Sequence, residues 1–346
     1  MEESYIEGIK RKYSIEKLKE ALSQFKRIKI LVIGDTIIDE YHFTRPKGRA
    51  TKDPILSVDY VNHEVYGGGI LAVANHVSNF ADEVTCITAI GDRNDRKDFI
   101  TGALNKNVDL KLLVKKDSPT TIKKRYLDNI RNEKLFKVEF INEAPIDEET
   151  EKKLIGFLEQ ELPKNDLVLL GDFGHGLITE KVIKLLEEKS KYLAVNAQCN
   201  SANLGFNFVT KYSKPKYITM DITELQYAVS DRFSTVDVLM KKLRDKTGFS
   251  NFLVTMGKEG AGYFNNNNIR FSPAFVTRPK DTVGAGDAVF SVTSLFSCLG
   301  MKELIPFIAN CAGGIAVSYL GNKESINKEK LLEFISQAYN GEIKAV

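Results

Sequence analysis

The chain has 346 residues, 27% of them charged and 43% hydrophobic, a globular composition with length enough to bury a large core. Its 49 lysines and arginines face 46 aspartates and glutamates, and a net charge of +3 is too balanced to single out a nucleic-acid or membrane partner. No run reaches the ~18 apolar residues of a membrane span, and MEESYIEGIKRKYS lacks the apolar core of a secretory signal, so a cytoplasmic protein is expected.

In chain order, the first 28 residues read as one amphipathic helix, with Ile15, Leu18, Ala21, Leu22 and Phe25 on a stripe and Ser14 placed to start a turn. This predicts a helical extension over 1–27 ahead of a domain over 28–346. IKILVIGD (28–35) is a continuous apolar run ended by Gly-Asp, the pattern of a strand buried on both faces of a parallel sheet. VTCITAIGD (84–92), DLVLLGD (166–172), YLAVN (192–196), YITMD (217–221) and NFLVTMG (251–257) repeat it. Helix-like stretches separate them: GILAVANHVSNF, ITEKVIKLLEEK, TVDVLMKKLRDKTG and DAVFSVTSLFSCLG. The alternation predicts an α/β fold with a mostly parallel central sheet flanked by helices, with ligands at the carboxyl edge.

Two segments break the pattern. PILSVDYVNHEVY (54–66) alternates apolar and polar residues, as does the end of TTIKKRYLDNIRNEKLFKVEF (120–140) after a turn near Asn129–Asn132. They read as half-exposed antiparallel strands, a small β lid over about 41–66 and 118–141. Asn265–Asn268 reads as a loop between strands. The four cysteines form no CxxC pair, and His42, His63, His76 and His175 show no metal-ligand spacing, which argues against a zinc enzyme.

PKDTVGAGDAVFSVTSLF (279–296) carries the most chemical information. Gly284, Ala285 and Gly286 let the backbone approach a ligand, and successive amides at the start of the following helix suit phosphate oxygens or a developing negative charge. Asp287, in the first turn, can take a proton from an attacking hydroxyl while those amides hold a phosphoryl group. A plain glycine-rich turn with an acidic residue complementing the helix dipole is the alternative. No third glycine completes GxGxxG here, and Gly257-Lys258-Glu259 fails the GxxxxGK[ST] pattern.

With these blocks in order, the chain resembles the ribokinase-like carbohydrate kinases, and within them the D-glycero-D-manno-heptose-phosphate kinase branch. The resemblance runs from about 28 to 340 through ILVIGDTIIDEY, YGGG, AIGD, SPTTIKKRY, LLGDFGHGLIT, VTMGKEGAGYF, DTVGAGD and ANCAGGIAVSYLG. It implies an ATP-dependent, magnesium-dependent transfer of the γ-phosphate to a hydroxyl of a sugar or sugar phosphate. Asp287 would be the base, and Gly284, Ala285 and Gly286 the anion hole. Asp39 would bind sugar hydroxyls, with Gly67 and Gly68 letting the sugar lie against the backbone. Thr255, Gly257 and Gly260 resemble the nucleotide-binding turn, and Asn310 falls where the family lines the adenine pocket. Asp221 and Glu224 occupy its Asn-x-x-Glu motif near magnesium, Asp221 acting through water. Thr121, Lys123 and Arg125 match a T-x-K-x-R lid strand; cations two apart share a face and could grip an anionic group, or lie on a solvated face. Asp172, Gly174 and Gly176 match a DYGKG loop bordering the substrate, with His175 in place of its lysine.

Several residues depart from the pattern. Leu71 replaces the asparagine of GGxxN, and Asp221 replaces an asparagine. VNAQCNSANLGFNFVTKY (195–212) replaces an Asp-Pro-Lys; its amides at Asn196, Asn200, Asn203 and Asn207 suit sugar hydroxyls or Asx turns. The chain stops at 346, before any nucleotidyltransferase domain of the kind that follows the kinase in that branch, so a kinase alone is expected. A homodimer through the β lid is also expected, because related kinases cover that exposed edge with a second subunit. The sugar, its phosphorylation state and any use of a monovalent cation are left open. So are a nucleoside or other acceptor, and a catalytically weak nucleotide-binding regulator.

Overall fold

The computed structural model describes residues 2–200, 203–276 and 278–343. Its strands are β1 (Ile30–Gly34), β2 (Thr36–Arg49), β3 (Leu56–Gly69), β4 (Val84–Arg93), β5 (Val108–Pro119), β6 (Ile122–Asp128), β7 (Lys134–Phe140), β8 (Leu167–Asp172), β9 (Leu193–Ala197), β10 (Tyr217–Asp221), β11 (Asn251–Thr255), β12 (Ala261–Asn265) and β13 (Asn268–Ser272). The helices are α1 (Glu2–Lys12), α2 (Ile15–Gln24), α3 (Ile70–Ser78), α4 (Lys97–Ala103), α5 (Glu148–Glu161), α6 (Glu180–Lys189), α7 (Ile222–Val229), α8 (Val236–Thr247), α9 (Ala285–Cys298), α10 (Ile305–Ala316) and α11 (Lys328–Tyr339).

Nine strands form one sheet in the order β13-β12-β11-β10-β9-β8-β1-β4-β5. The pairs from β10–β11 through β4–β5 are parallel, and β12 and β13 close the edge as an antiparallel hairpin through the Asn265–Asn268 turn. Side chains alternate across this sheet. Ile30 and Val32 join one core with residues of α2, α3, α9, α10 and α11, and Leu31 and Ile33 join a second with α5, α6 and α8. The apolar strand runs thus mark a sheet covered by helices on both faces, as the sequence predicts.

A second sheet has the order β3-β2-β6-β7. Here the expectation of purely antiparallel strands is corrected: β2 pairs with β3 and β6 with β7 antiparallel, but β2 and β6 run parallel. The connections explain it. Strand β2 follows β1 after one residue, and β6 follows β5 after two, so both leave the same edge of a parallel sheet in the same direction. The single N-terminal helix is also corrected. It is broken into α1 and α2 because Ser14 turns extended and its hydroxyl caps the Lys17 amide of the second helix. Leu18, Leu22 and Phe25 still pack into the core, as their stripe implies. Among the described residues, no helix is long and apolar enough to cross a membrane.

Candidate active site

A cleft of ≈ 700 Å³ lies where the carboxyl ends of the parallel strands meet the inner face of the second sheet. Its walls bring together most of the residues singled out in the sequence. Asp39, Lys123 and Arg125 stand on one side, Asn196 and the Gly284–Asp287 segment beside them, and Asp221, Glu224, Thr255, Gly257, Gly260 and Asn310 complete the rest. Residues more than 280 apart in sequence thus share one cavity, because successive strands end at the same edge.

The sequence-predicted anion site falls at the N-terminus of α9. Gly284 precedes the helix at φ +82°, and an added Cβ would lie 2.0 Å from Asn322 Oδ1, so only glycine fits. The Ala285 amide is engaged by Thr282 O at 3.3 Å. The Gly286 and Asp287 amides belong to the first turn, which has no carbonyl a turn earlier to pair with. The Asp287 carboxyl is buried; loss of solvent and the nearby Asp39 charge push its pKa up to about 7. Gln198 opposes that rise, donating from Nε2 to Asp287 Oδ1 at 2.9 Å while the same nitrogen reaches Asn196 Oδ1 at 2.8 Å. A half-ionised carboxyl beside free amides has the features of a general base next to an anion site.

On the second-sheet side, Asp39 pairs with Arg125, whose guanidinium lies 5.4 Å from the centre of the Tyr41 ring, and accepts from Asn322 Nδ2 at 3.3 Å. Burial lowers the Lys123 pKa, with Asp39 and Glu139 acting against that. Gly68 is required by Asp39: a Cβ there would lie 2.2 Å from Oδ2. Gly67 does not line the cleft but a neighbouring cavity beside α3, and Leu71 is wholly buried in the core.

At the other end, the turn after β11 carries Gly257 at φ +56° and Gly260 at φ +98°. An added Cβ at Gly260 would lie 2.0 Å from Ser272 O, the carbonyl to which Asn310 Nδ2 donates at 3.1 Å. Asp221 and Glu224 form a reciprocal capping box at the start of α7. Glu224 accepts from the Asp221 and Cys199 amides, and burial together with Asp221 pushes its pKa up to about 8. Among the described residues no group of three or more acidic, His or Cys side chains could hold a metal. A magnesium carried by nucleotide phosphates needs only one or two carboxylates, often through water, and Asp221 with Glu224 fits that requirement.

Asp172 and His175 are not in this cleft. Asp172 accepts from Lys211 Nζ and Tyr212 Oη, each at 2.5 Å, and braces the loop after β8. Asn200, Asn203 and Asn207 donate to the carbonyls of Phe173 or Asp172, so the three asparagine amides after β9 support that loop, while Asn196, within β9, donates to Thr219. His175 is buried with neither ring nitrogen bonded, and desolvation with Lys123 and Lys115 pushes its pKa down to about 3. Asp35 holds the same loop through the amides of Phe173, His175 and Leu177.

Two cleft residues whose side chains bond Asp287 and Asp39, Gln198 and Asn322, were not singled out in the sequence. Gln198 had a signal, lying just past a strand's carboxyl end; Asn322 follows the last recognised block and had none.

The profile of the pfkB family carbohydrate kinases matches residues 27–328. The chain belongs to that family. It is therefore an enzyme of the phosphotransferase class acting on carbohydrate. The bifunctional protein HldE of Shewanella piezotolerans is 27% identical over 331 residues, covering 94% of this chain and 67% of that protein's length. Phosphofructokinase-2 of Escherichia coli, in complex with fructose-6-phosphate, superposes with a TM-score of 0.69 at 15% identity, covering 90% and 99% of the two chains. Arabidopsis thaliana ribokinase, complexed with ribose and ATP, gives 0.66 at 15% identity over 89% and 98%. The fold is accordingly ribokinase-like.

Proposed function

We propose that this protein transfers the γ-phosphate of ATP, with magnesium, to a hydroxyl of a sugar that already carries a phosphate, a heptose phosphate being the leading class. The observation that carries this reading is Asp287. A buried carboxyl with a pKa near 7 stands beside unpaired helix-start amides, in a cleft with a glycine turn at one end and Asp39, Lys123 and Arg125 at the other. Asp287 takes the proton of the acceptor hydroxyl as it attacks. The Gly286 and Asp287 amides stabilise the charge gathering on the transferring group, with Gly284 shaping the approach; one such donor contributes about 3 kcal/mol. Asp39 orients the acceptor. Asp221, through water, and Glu224 would hold a nucleotide-borne magnesium, which would supply neutralisation of phosphate charge. Thr255, Gly257, Gly260 and Asn310 hold the nucleotide.

The phosphorylated acceptor is supported by two cations on one face of β6, Lys123 and Arg125, both lining the cleft. Asp39 pairs with Arg125 and Glu139 lies 3.9 Å from Lys123 Nζ, so an acceptor phosphate would share Lys123 with Glu139. The HldE relative and the T-x-K-x-R strand favour a heptose. The test is ADP release across free sugars, phosphosugars and nucleosides, with Lys123→Met alongside wild type. Preference for a phosphosugar, lost in Lys123→Met through a raised KM, supports the reading. Preference for an unphosphorylated sugar or a nucleoside reassigns the lid.

We also propose a homodimer through the outer face of the lid. His63, His42, Tyr126 and Phe136 stack in sequence across all four strands, with ring centroids 5.2, 4.8 and 4.5 Å apart. Tyr60, Val61, Phe136, Val138 and Phe140 on those strands are exposed. This exposed aromatic and aliphatic face is the surface proposed to meet a partner.

A further inference from the structure

Asp281 lies six residues before Asp287 and is buried. Its carboxylate accepts from donors in four separate segments: Val283 N of its own loop (3.2 Å), Gly321 N (3.0 Å), Tyr41 Oη of β2 (3.0 Å) and Lys134 Nζ of β7 (2.5 Å). Three of these donors are neutral. A carboxylate buried to 2% side-chain exposure needs a counter-charge, and Lys134, itself 40% exposed, reaches in from the lid to provide it.

The position of Asp281 propagates into the cleft. Gly321, at φ +50°, presses on Tyr41; an added Cβ would meet its Oη at 2.5 Å. The next residue, Asn322, donates to Asp39 at 3.3 Å and packs against Gly284. A continuous chain of contacts therefore runs from Lys134 through Asp281, Gly321 and Asn322 to both the acceptor-side carboxylate and the anion-hole glycine.

We infer that Lys134 is a positioning residue for phosphoryl transfer: its ammonium, delivered by the lid, is the cation that fixes Asp281 and so sets Gly284 and Asp39 in register. The inference rests on the kinase reading of the cleft. It makes anion-hole assembly depend on the seating of the lid.

The experiment compares wild type, Lys134→Ala and Lys134→Arg at constant ionic strength in tetramethylammonium chloride, then with ammonium, methylammonium or potassium added. Wild type is expected to be indifferent to the added cation. Lys134→Ala should lose about 10–100-fold in kcat, since sub-ångström misplacement of reacting groups has effects of that order, with KM for nucleotide little changed. A small cation should restore part of that loss, and Lys134→Arg should retain most of the rate. Amide hydrogen exchange over 281–287 and 320–322 should quicken in Lys134→Ala. A Lys134→Ala kcat within two-fold of wild type, or a loss that no small cation restores, overturns the cation role. If wild type turns over nothing, the kinase reading has failed, and exchange decides alone: faster exchange in Lys134→Ala upholds the latch, and unchanged exchange overturns it.

Discussion

Gln198 offers the sharpest probe of how the base is tuned. Its Nε2 donates to Asp287 Oδ1 at 2.9 Å, an interaction that holds the carboxylate charged against the upward pressure of burial and Asp39. Gln198→Met keeps the length and removes the donor. Hydrogen bonds to charged groups contribute about 1.5–3 kcal/mol. That corresponds to a rise of roughly 1–2 pKa units from the wild-type value of about 7. At pH 7 the ionised fraction of Asp287 then falls from about a half to between about a tenth and a hundredth, so kcat/KM should drop roughly 5- to 50-fold. The loss should vanish as pH is raised past the new pKa, because the free-enzyme profile of kcat/KM reports the ionisation of the base. The assay is the pH–rate profile of both proteins from pH 5.5 to 10. A uniform loss at every pH would refute the reasoning: Gln198 would then position a group without tuning its ionisation.

Asp287→Asn should change stability with a definite sign. Between the ordinary value of 3.8 and the folded value of about 7, the folded protein holds a proton that the unfolded chain has released, so stability falls as pH rises through that window. The variant should therefore gain more in melting temperature over wild type at pH 8 than at pH 5. Gly260→Ala should weaken nucleotide binding at least ~10-fold in calorimetry, since left-handed strain of about 1–2 kcal/mol adds to a clash with Ser272 O, which also anchors Asn310. Gly257→Ala, whose Cβ meets nothing within 4 Å, should incur only the strain. Sedimentation at micromolar concentration should show a dimer that Phe136→Glu converts to monomer; a wild-type monomer removes the lid interface.

The buried strands were legible because strands covered on both faces must be apolar throughout, and LVIG, LVLLGD and FLVT are. Strand β5, VDLKLLVKKDSP, was not, because Lys111, Lys115 and Lys116 break its apolar run at the edge of the sheet, although Lys115 is itself buried with its ammonium on the carbonyls of Asn142 and His175. DTVGAGD was legible as a candidate anion site because small residues ahead of a helix let its first amides meet a ligand. The direction of β2 against β6 was invisible, since alternation reports which face is exposed and not how strands pair. Gln198 with Asp287, Asn322 with Asp39, and Lys134 with Asp281 meet across separations of 89, 283 and 147 residues, and no local pattern encodes such meetings. The asparagines after β9 show the converse. Amides suited to sugar hydroxyls are mostly spent on the carbonyls of a neighbouring loop, because buried carbonyls require donors of their own.

The most direct test of the central claim is turnover of ATP-magnesium with a panel of phosphorylated sugars by wild type and Asp287→Asn, with nucleotide affinity measured on both. The account predicts that Asp287→Asn binds nucleotide as wild type does and loses at least ~100-fold in turnover. Near-normal turnover in Asp287→Asn would contradict it.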